Sequence, residues 1–181
     1  MTPPQSSRAE PASTGTWAGR LIRNVNGCLG RIPESLIAAL GRFSIAAVFW
    51  KSGQTKIEGF ALDIVDGTFQ FGLPHLSDSA LMLFREEYRL PFVSPELAAP
   101  LTALAEHLFP ALLLIGLATR LSAAALLVMT LMIELFVYPG AYPTHGVWAT
   151  VLLYLMARGG GAFSLDHWIA RRAQEARTNT N

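Results

Sequence analysis

The sequence predicts an all-α protein, a four-helix transmembrane bundle with an interfacial N-terminal helix and a long extracytoplasmic loop. Three observations predict this fold class. Of 181 residues, 51% are hydrophobic and only 15% are charged, whereas the usual charged fraction is about 25%. The apolar residues fall into four long runs, and basic residues concentrate near the chain ends. A soluble bundle of such apolar helices is the alternative, but it would have too little polar surface.

The chain begins with two segments that precede the apolar runs. Residues 1–16 are rich in Pro, Ser and Thr without periodicity, which predicts a disordered start and no secretory signal peptide. In residues 17–34, apolar side chains recur every three or four positions between arginines, which predicts a basic amphipathic helix lying on the membrane surface. An irregular basic lead-in remains the alternative, because Gly27 and Gly30 weaken a helix.

The four apolar runs predict a membrane domain over residues 35–168, followed by a polar C-terminal tail over residues 169–181. A membrane-crossing helix needs roughly 20 mostly apolar residues. The runs meet this length, the first and the last with polar interruptions. The predicted helices span about 35–56, 97–118, 121–138 and 145–163.

A long loop, residues 57–96, separates the first two predicted helices and has its own local signals. Asp78 is expected to cap a helix over SALMLFREEYRL, which ends before Pro91. The preceding GFALDIVDGTFQFGLP carries the alternation and the turn residues of a short β-hairpin.

The distribution of lysine and arginine predicts the orientation. Four lie in the N-terminal segment, one in the turn between the second and third helices and four in the C-terminal segment, against three in the long loop. The positive-inside rule therefore places both termini in the cytoplasm and the loop outside. The lone Cys28 is then on the reducing side, where no structural disulfide is expected.

Ionisable residues at the predicted spans are the candidate functional residues, since each costs several kcal/mol in hydrocarbon unless it is paired or hydrated. This candidate intramembrane polar site consists of Arg42, Lys51, Lys56, Glu106, His107 and Glu134.

Helix depth and helical angle predict how these charges pair. With a rise of about 1.5 Å per residue, depth matches Lys51 or Lys56 with Glu134, and Glu106 with Arg42 or Lys51. Helical angle places Arg42 and Lys56 on one face of the first helix. Lys51 lies nearly opposite and is expected to extend toward the interface.

Three interpretations of these charges are open. They can be internal salt bridges that fix helix order, or a proton- or quinone-handling site in which Glu106 and its neighbour His107 relay protons. A metal site built from His107, His145, Met129 and Met132 is the weakest, since methionines at helical spacing usually pack; no metal is therefore predicted. No phosphate loop, nucleophile elbow or dinucleotide fingerprint is present.

Taken in order from about Gly41 to Trp168, the motifs of this chain resemble those of the DoxX family of small bacterial membrane proteins. The first helix carries an arginine followed by G-x-x-K, the second a glutamate and a G-L-x-T-R end, and the last a tryptophan followed by Gly, Ser and Asp. The positions concerned are Arg42, Gly53, Lys56, Glu106, Gly116, Thr119, Arg120, Trp148, Ser164 and Asp166.

The resemblance implies a multi-pass protein of the bacterial inner membrane and an accessory subunit of a membrane redox or oxidative-stress system. Quinone is the candidate cofactor. The expected partners are the lipid bilayer, a membrane or secreted redox or stress protein, and a second copy of the chain, but no nucleic acid. Enzymatic activity is left open, because family membership does not establish catalysis. The chain also lacks the cysteine pair that thiol exchange needs. The alternatives are a non-enzymatic scaffold or assembly factor and a small metal-tolerance or transport protein.

Overall fold

Seven α-helices and one β-hairpin form the described part of the chain, residues 17–63 and 67–178 of a computed structural model. By internal contacts the chain divides into two units, Met1–Pro33 and Glu34–Asn181. In chain order the elements are α1 (Trp17–Leu29), α2 (Glu34–Gln54), β1 (Ile57–Asp63), β2 (Thr68–Leu76), α3 (Asp78–Leu83) with a π-helical turn (Phe84–Tyr88), α4 (Pro95–Ile115), α5 (Thr119–Phe136), a 3₁₀ turn (Pro139–Ala141), α6 (Tyr142–Arg158) and α7 (Leu165–Thr178).

The first unit contains α1, so its segment is helical rather than irregular. Leu21 and Val25 lie on one face of α1, and Arg20 and Arg23 lie on the other, as the spacing predicts. The predicted disordered stretch, residues 1–16, lies outside the described residues.

In the second unit, α2 packs on α4 and α6, and α5 also packs on α4 and α6. Their shared core consists of Ala38, Ile45, Ala46, Phe49, Leu113, Ala123, Leu126, Leu152 and Leu155. Small residues let the helices approach closely. A β-carbon on Gly41 would lie 3.2 Å from Val151 Cγ1, so this glycine lets α2 approach α6 closely.

Three of the described helices, α2, α4 and α5, are long and apolar enough to cross a membrane. Large apolar side chains are exposed along them, among them Leu40 and Phe43 on α2, Leu104 on α4 and Val128 on α5. Such outward apolar faces are what a bilayer requires. The fourth long helix, α6, has 17 residues.

The predicted β-hairpin is present. Strands β1 and β2 pair antiparallel, with Phe60 opposite Phe71 and an irregularity at Gly59. At Gly59, which has a φ of 83°, an added β-carbon would lie 2.4 Å from the Leu73 carbonyl oxygen. The hairpin is held to α2 because Trp50 Nε1 donates to the Leu62 carbonyl at 2.9 Å.

The helix after the hairpin differs from the prediction at both of its ends. Its cap is Ser77 rather than Asp78, because Ser77 Oγ accepts a hydrogen bond from the Ala80 amide at 3.1 Å. The helix then widens into the π-helical turn, which ends at Arg89 with a φ of 41°. Phe84 in this turn is buried against the start of α4.

The opposite end of the second unit is formed by glycines. Helix α4 ends at Gly116, which has a φ of 71°. Helix α6 ends at Arg158, about a turn before the predicted end, because Gly159 and Gly161 both have positive φ. Residues 169–178 of the predicted polar tail belong to α7, and residues 179–181 lie outside the described residues. We call this the glycine end, and the end with β1, β2 and α3 the hairpin end.

Candidate functional site

A cavity of about 220 Å³ lies at the hairpin end of the core, between α2, α4, α5 and α6. Its polar lining comes from Ser52 of α2, Lys56 in the turn after α2, Thr102 and Glu106 of α4 and His145 of α6, with Tyr88 and Tyr138 at its rim. We call it the hairpin-end cavity. It is smaller than the roughly 300–1,000 Å³ of pockets for drug-sized ligands, so it suits a ring-sized headgroup.

One wall of the cavity is an ion pair. Lys56 Nζ lies 2.7 Å from Glu106 Oε2, and only 4% and 2% of the two side chains are exposed. Ser52 completes the cluster, since its hydroxyl donates to Glu106 Oε1 at 3.0 Å and its carbonyl accepts from Lys56 Nζ at 3.2 Å. The predicted pairing of Lys56 with Glu134 is therefore wrong. Depth alone does not assign the partner, because Lys56 lies in the turn that follows α2 and its ammonium reaches α4.

Glu134 instead pairs with a residue of α6 that the pairing prediction missed. His145 Nδ1 lies 2.5 Å from Glu134 Oε2, and the imidazole ring packs against the indole of Trp148 with the ring centroids 4.9 Å apart. The sequence shows His145 only at the start of an apolar run, without a motif. The short turn between the third and fourth apolar runs was the available signal, since it brings His145 close to the end of the helix that carries Glu134.

Two tyrosines and a glutamate form the rim of the cavity. The hydroxyl of Tyr138 donates to Glu87 Oε1, and the Tyr88 and Tyr138 rings meet edge to face at 6.0 Å. Donation to Glu87 is the main cause that raises the pKa of Tyr138, and burial raises the pKa of Tyr88. Both phenols therefore stay protonated to a higher pH than a free tyrosine does.

His107 does not join its neighbour Glu106 in the cavity. Its Nδ1 lies 2.6 Å from the Ala103 carbonyl and its Nε2 lies 2.8 Å from Gln54 Nε2. The Gln54 Oε1 accepts from the Leu62 amide, so the amide nitrogen faces the ring. In this arrangement Nδ1 donates to the Ala103 carbonyl and Nε2 accepts from the Gln54 amide. Consecutive residues of a helix point about 100° apart, and in the described part of the chain no hydrogen bond joins Glu106 to His107. The interpretation in which these two residues relay protons therefore has no direct contact between them to support it.

Lys51 lies outside the polar cluster, as its helical angle predicts. Its ammonium is 3.4 Å from Asp63 at the end of β1, and 59% of its side chain is exposed. The predicted alternatives, in which Lys51 pairs with Glu134 or Glu106, are wrong.

Arg42 lies at the glycine end, where it connects three parts of the chain. Its guanidinium donates to the Leu113 carbonyl of α4 at 3.2 Å and to the Phe163 carbonyl at 2.6 Å. Its predicted pairing with Glu106 is wrong. Gly116 makes room for it, because a β-carbon there would lie 2.1 Å from the guanidinium Nη1. The structure thus assigns Arg42 to helix packing.

Most of the family-motif positions lie at the glycine end, the same end as Arg42. Asp166 accepts hydrogen bonds from the Ala118 and Thr119 amides, both at 2.8 Å, which caps the start of α5. Ser164 Oγ accepts from the His167 amide at 3.2 Å and so caps α7. Gly53 lies at the other end, where a β-carbon would be 2.7 Å from the His107 ring. Trp148 lines the hairpin-end cavity.

Within residues 17–63 and 67–178, no three His, Cys, Asp or Glu side chains come together in a way that could hold a metal ion. Met129 and Met132 line the hairpin-end cavity near His145. Their thioethers make its remaining walls apolar.

Comparison with known proteins finds a match over the segment that contains most of the residues of this site. The family model for DoxX matches residues 37–139, more than half of the chain, and includes Arg42, Lys56, Glu106 and Glu134. No curated protein and no solved structure matches the chain. Together with three helices suited to crossing a bilayer, the match confirms the predicted resemblance: this chain is a membrane protein of the DoxX family.

Proposed function

We propose that this protein is an accessory subunit of a membrane redox or stress-response system, and that the hairpin-end cavity binds a quinone headgroup. The observation that carries the proposal is one small cavity between two polar pairs. The ion pair Lys56–Glu106 forms one wall, and the glutamate–histidine pair Glu134–His145 lies near the opposite wall. Quinone carbonyls accept hydrogen bonds and so need donors, and the hydroxyls of the reduced quinol donate them and so need acceptors. The cavity offers both beside apolar and aromatic surface.

Quinone binding is testable through Trp148, which lines the cavity. A short-chain quinone titrated into the purified protein is expected to quench part of its tryptophan fluorescence. Trp148→Phe should remove that saturable part, whereas Trp168→Phe, which changes an exposed residue of α7, should keep it. Equal quenching of both variants would show that the quinone does not enter the cavity.

The contribution of Glu106 to quinone binding is testable by substitution. Organic extraction of the purified protein, followed by chromatography, measures any bound quinone. Glu106→Gln removes the buried charge but preserves the shape, and it is expected to lower the quinone content severalfold. The matched control is Glu86→Gln on the exposed π-helical turn. No quinone in the wild-type protein, or equal amounts in all three proteins, would contradict the proposal.

A structural role as a scaffold or assembly factor is the second candidate, favoured by the internal partners of Lys56. Its ammonium contacts Glu106 Oε2, Ser52 Oγ and the Ser52 carbonyl, so it can satisfy all three of its protons without a ligand. In that case Glu106→Gln lowers the yield of folded protein while any co-purified partner still binds in proportion to that yield.

We also propose that four helices, α2, α4, α5 and α6, cross the bacterial inner membrane with both termini in the cytoplasm. The basic chain ends support this orientation. Cys28 is the only cysteine of the chain, so a membrane-impermeant thiol reagent should label it only after the cells are permeabilised. In a Cys28→Ser background, Gln70→Cys on the hairpin should be labelled in intact cells. The reverse pattern would invert the topology.

A further inference from the structure

A second, larger depression of about 640 Å³ lies at the glycine end, between the α4–α5 turn and the residues that follow α6. We call it the glycine-end cleft. Its lining includes Thr119, Arg120, Arg158, the three glycines Gly159–Gly161, and His167. The proposed quinone site does not involve this cleft.

The cationic side chains of the cleft are not fully engaged by the protein. Within the described residues, Arg120 has no ion-pair partner, and the exposed Arg158 has only Glu34 at 3.7 Å. The one carboxylate that lines the cleft, Asp166, already accepts two amide hydrogen bonds at the start of α5. An anion entering the cleft would therefore meet an available guanidinium and a carboxylate that is already hydrogen-bonded.

The floor of the cleft also has unused hydrogen-bonding groups. The Thr119 hydroxyl is fully buried and has no partner in the described part of the chain. The amides of Gly160 and Gly161 likewise donate to no acceptor among the residues that the structure describes. Buried polar groups are normally satisfied, so the buried Thr119 hydroxyl and the two glycine amides beside it are available to a polar ligand in this cationic cleft.

The position of the cleft indicates which anion it meets. The cleft lies where α4 and α6 end and where α2 and α5 begin, which is the headgroup depth of helices that cross a bilayer. Leu121, on the cleft wall, is 69% exposed, and it would contact the glycerol or acyl region of a lipid. Basic pockets between transmembrane helices are known to bind anionic lipid headgroups.

We propose that the glycine-end cleft binds the phosphate of an anionic phospholipid, with Arg120 as its main ligand. Arg120 contributes a planar fork that can hold two phosphate oxygens, and Arg158 adds charge. Gly160 leaves the Thr119 hydroxyl uncovered, since a β-carbon on Gly160 would lie 2.7 Å from Thr119 Oγ1.

The test uses the purified, delipidated full-length chain in detergent. Phosphatidylglycerol is titrated in while Tm is recorded, with phosphatidylcholine and inorganic phosphate in parallel. Phosphatidylglycerol is expected to raise Tm saturably. Arg120→Ala should raise the half-saturating concentration about tenfold, the equivalent of one lost charge-assisted hydrogen bond. The matched control, Arg177→Ala on α7, should change it less than about twofold.

Three outcomes would overturn the proposal: equal affinity of Arg120→Ala and the wild type, equal stabilisation by phosphatidylcholine, or stabilisation by inorganic phosphate alone. If Arg120→Ala does not fold, Arg120→Lys answers the same question, because lysine keeps the charge and loses the fork. Arg120→Lys is expected to bind severalfold more weakly than the wild type, and equal affinity would overturn the proposal.

Discussion

Lys56 Nζ and Glu106 Oε2 lie 2.7 Å apart, and both side chains are almost completely buried. Such a pair contributes little net stability, but removing one partner leaves a buried charge uncompensated. The pair therefore couples α2 to α4 strongly, whatever the cavity beside it binds.

Lys56→Met is expected to destabilise the protein by about 3–5 kcal/mol, the usual cost of breaking a buried ion pair. The double variant Lys56→Met/Glu106→Met should recover most of that loss, because no charge is left behind. Reversible denaturation in detergent measures both. Lys51→Met is the control, and its exposed pair with Asp63 should be worth at most about 1 kcal/mol. Additive losses in the double variant would contradict the expectation.

Arg42→Met should lower the free energy of unfolding more than the replacement of any single exposed charged residue in the second unit. It removes the donors to the Leu113 and Phe163 carbonyls and loosens three segments at once. Each charge-assisted hydrogen bond is worth about 1.5–3 kcal/mol. The yield of monodisperse protein in detergent and its Tm test this. Arg158→Met, at an exposed pair, serves as the control, and similar losses for the two variants would refute the role of Arg42.

Gly116→Ala is expected to be poorly tolerated. Its φ of 71° disfavours any side chain, and a β-carbon would collide with the Arg42 guanidinium. The backbone conformation alone costs about 1–2 kcal/mol. Gly140→Ala is the matched control, because a β-carbon there meets nothing within 4 Å. Equal Tm values for the two variants would show that Gly116 is not required.

The titration of Tyr138 should report its bond to Glu87. Because the folded pKa of Tyr138 lies above that of an unfolded chain, its stabilising effect is complete below the ordinary tyrosine pKa of about 10. The effect is lost as pH rises through the raised value. Ultraviolet titration should show one late-ionising tyrosine that disappears in Tyr138→Phe. In Glu87→Gln the pKa of Tyr138 should fall toward its ordinary value, and an unchanged curve would contradict this.

The long helices and the hairpin could be predicted because each depends on a local pattern. Continuous apolar runs gave α2, α4 and α5, and alternation with turn residues gave β1 and β2. The end of α6 was placed too late because apolar residues such as Phe163 continue past it, whereas the glycine backbone conformation ends the helix. The cap at Ser77 was misassigned to Asp78 because both are good capping residues one position apart.

The charged side chains could be identified from the sequence, but most of their partners could not. Arg42, Glu106 and Glu134 stand out in apolar runs, yet partner choice depends on helix rotation and on small residues that set helix distances. Gly53 brings α2 close enough to α4 to place Lys56 beside Glu106. His145 could not be predicted as the partner of Glu134, because only the packing of α6 on α5 brings the two side chains together.

The close passage of the two strands at Gly59 gives the hairpin a single alignment. An added β-carbon on Gly59 would lie 2.4 Å from the Leu73 carbonyl oxygen, and one on Gly72 would lie 2.5 Å from the Gly59 carbonyl oxygen. If β2 slipped by one residue, Phe71 or Leu73 would have to occupy a gap that admits only hydrogen. The exposed strands are thus protected against pairing out of register, so the hairpin can present Phe69, Phe71 and Leu73 in one fixed row.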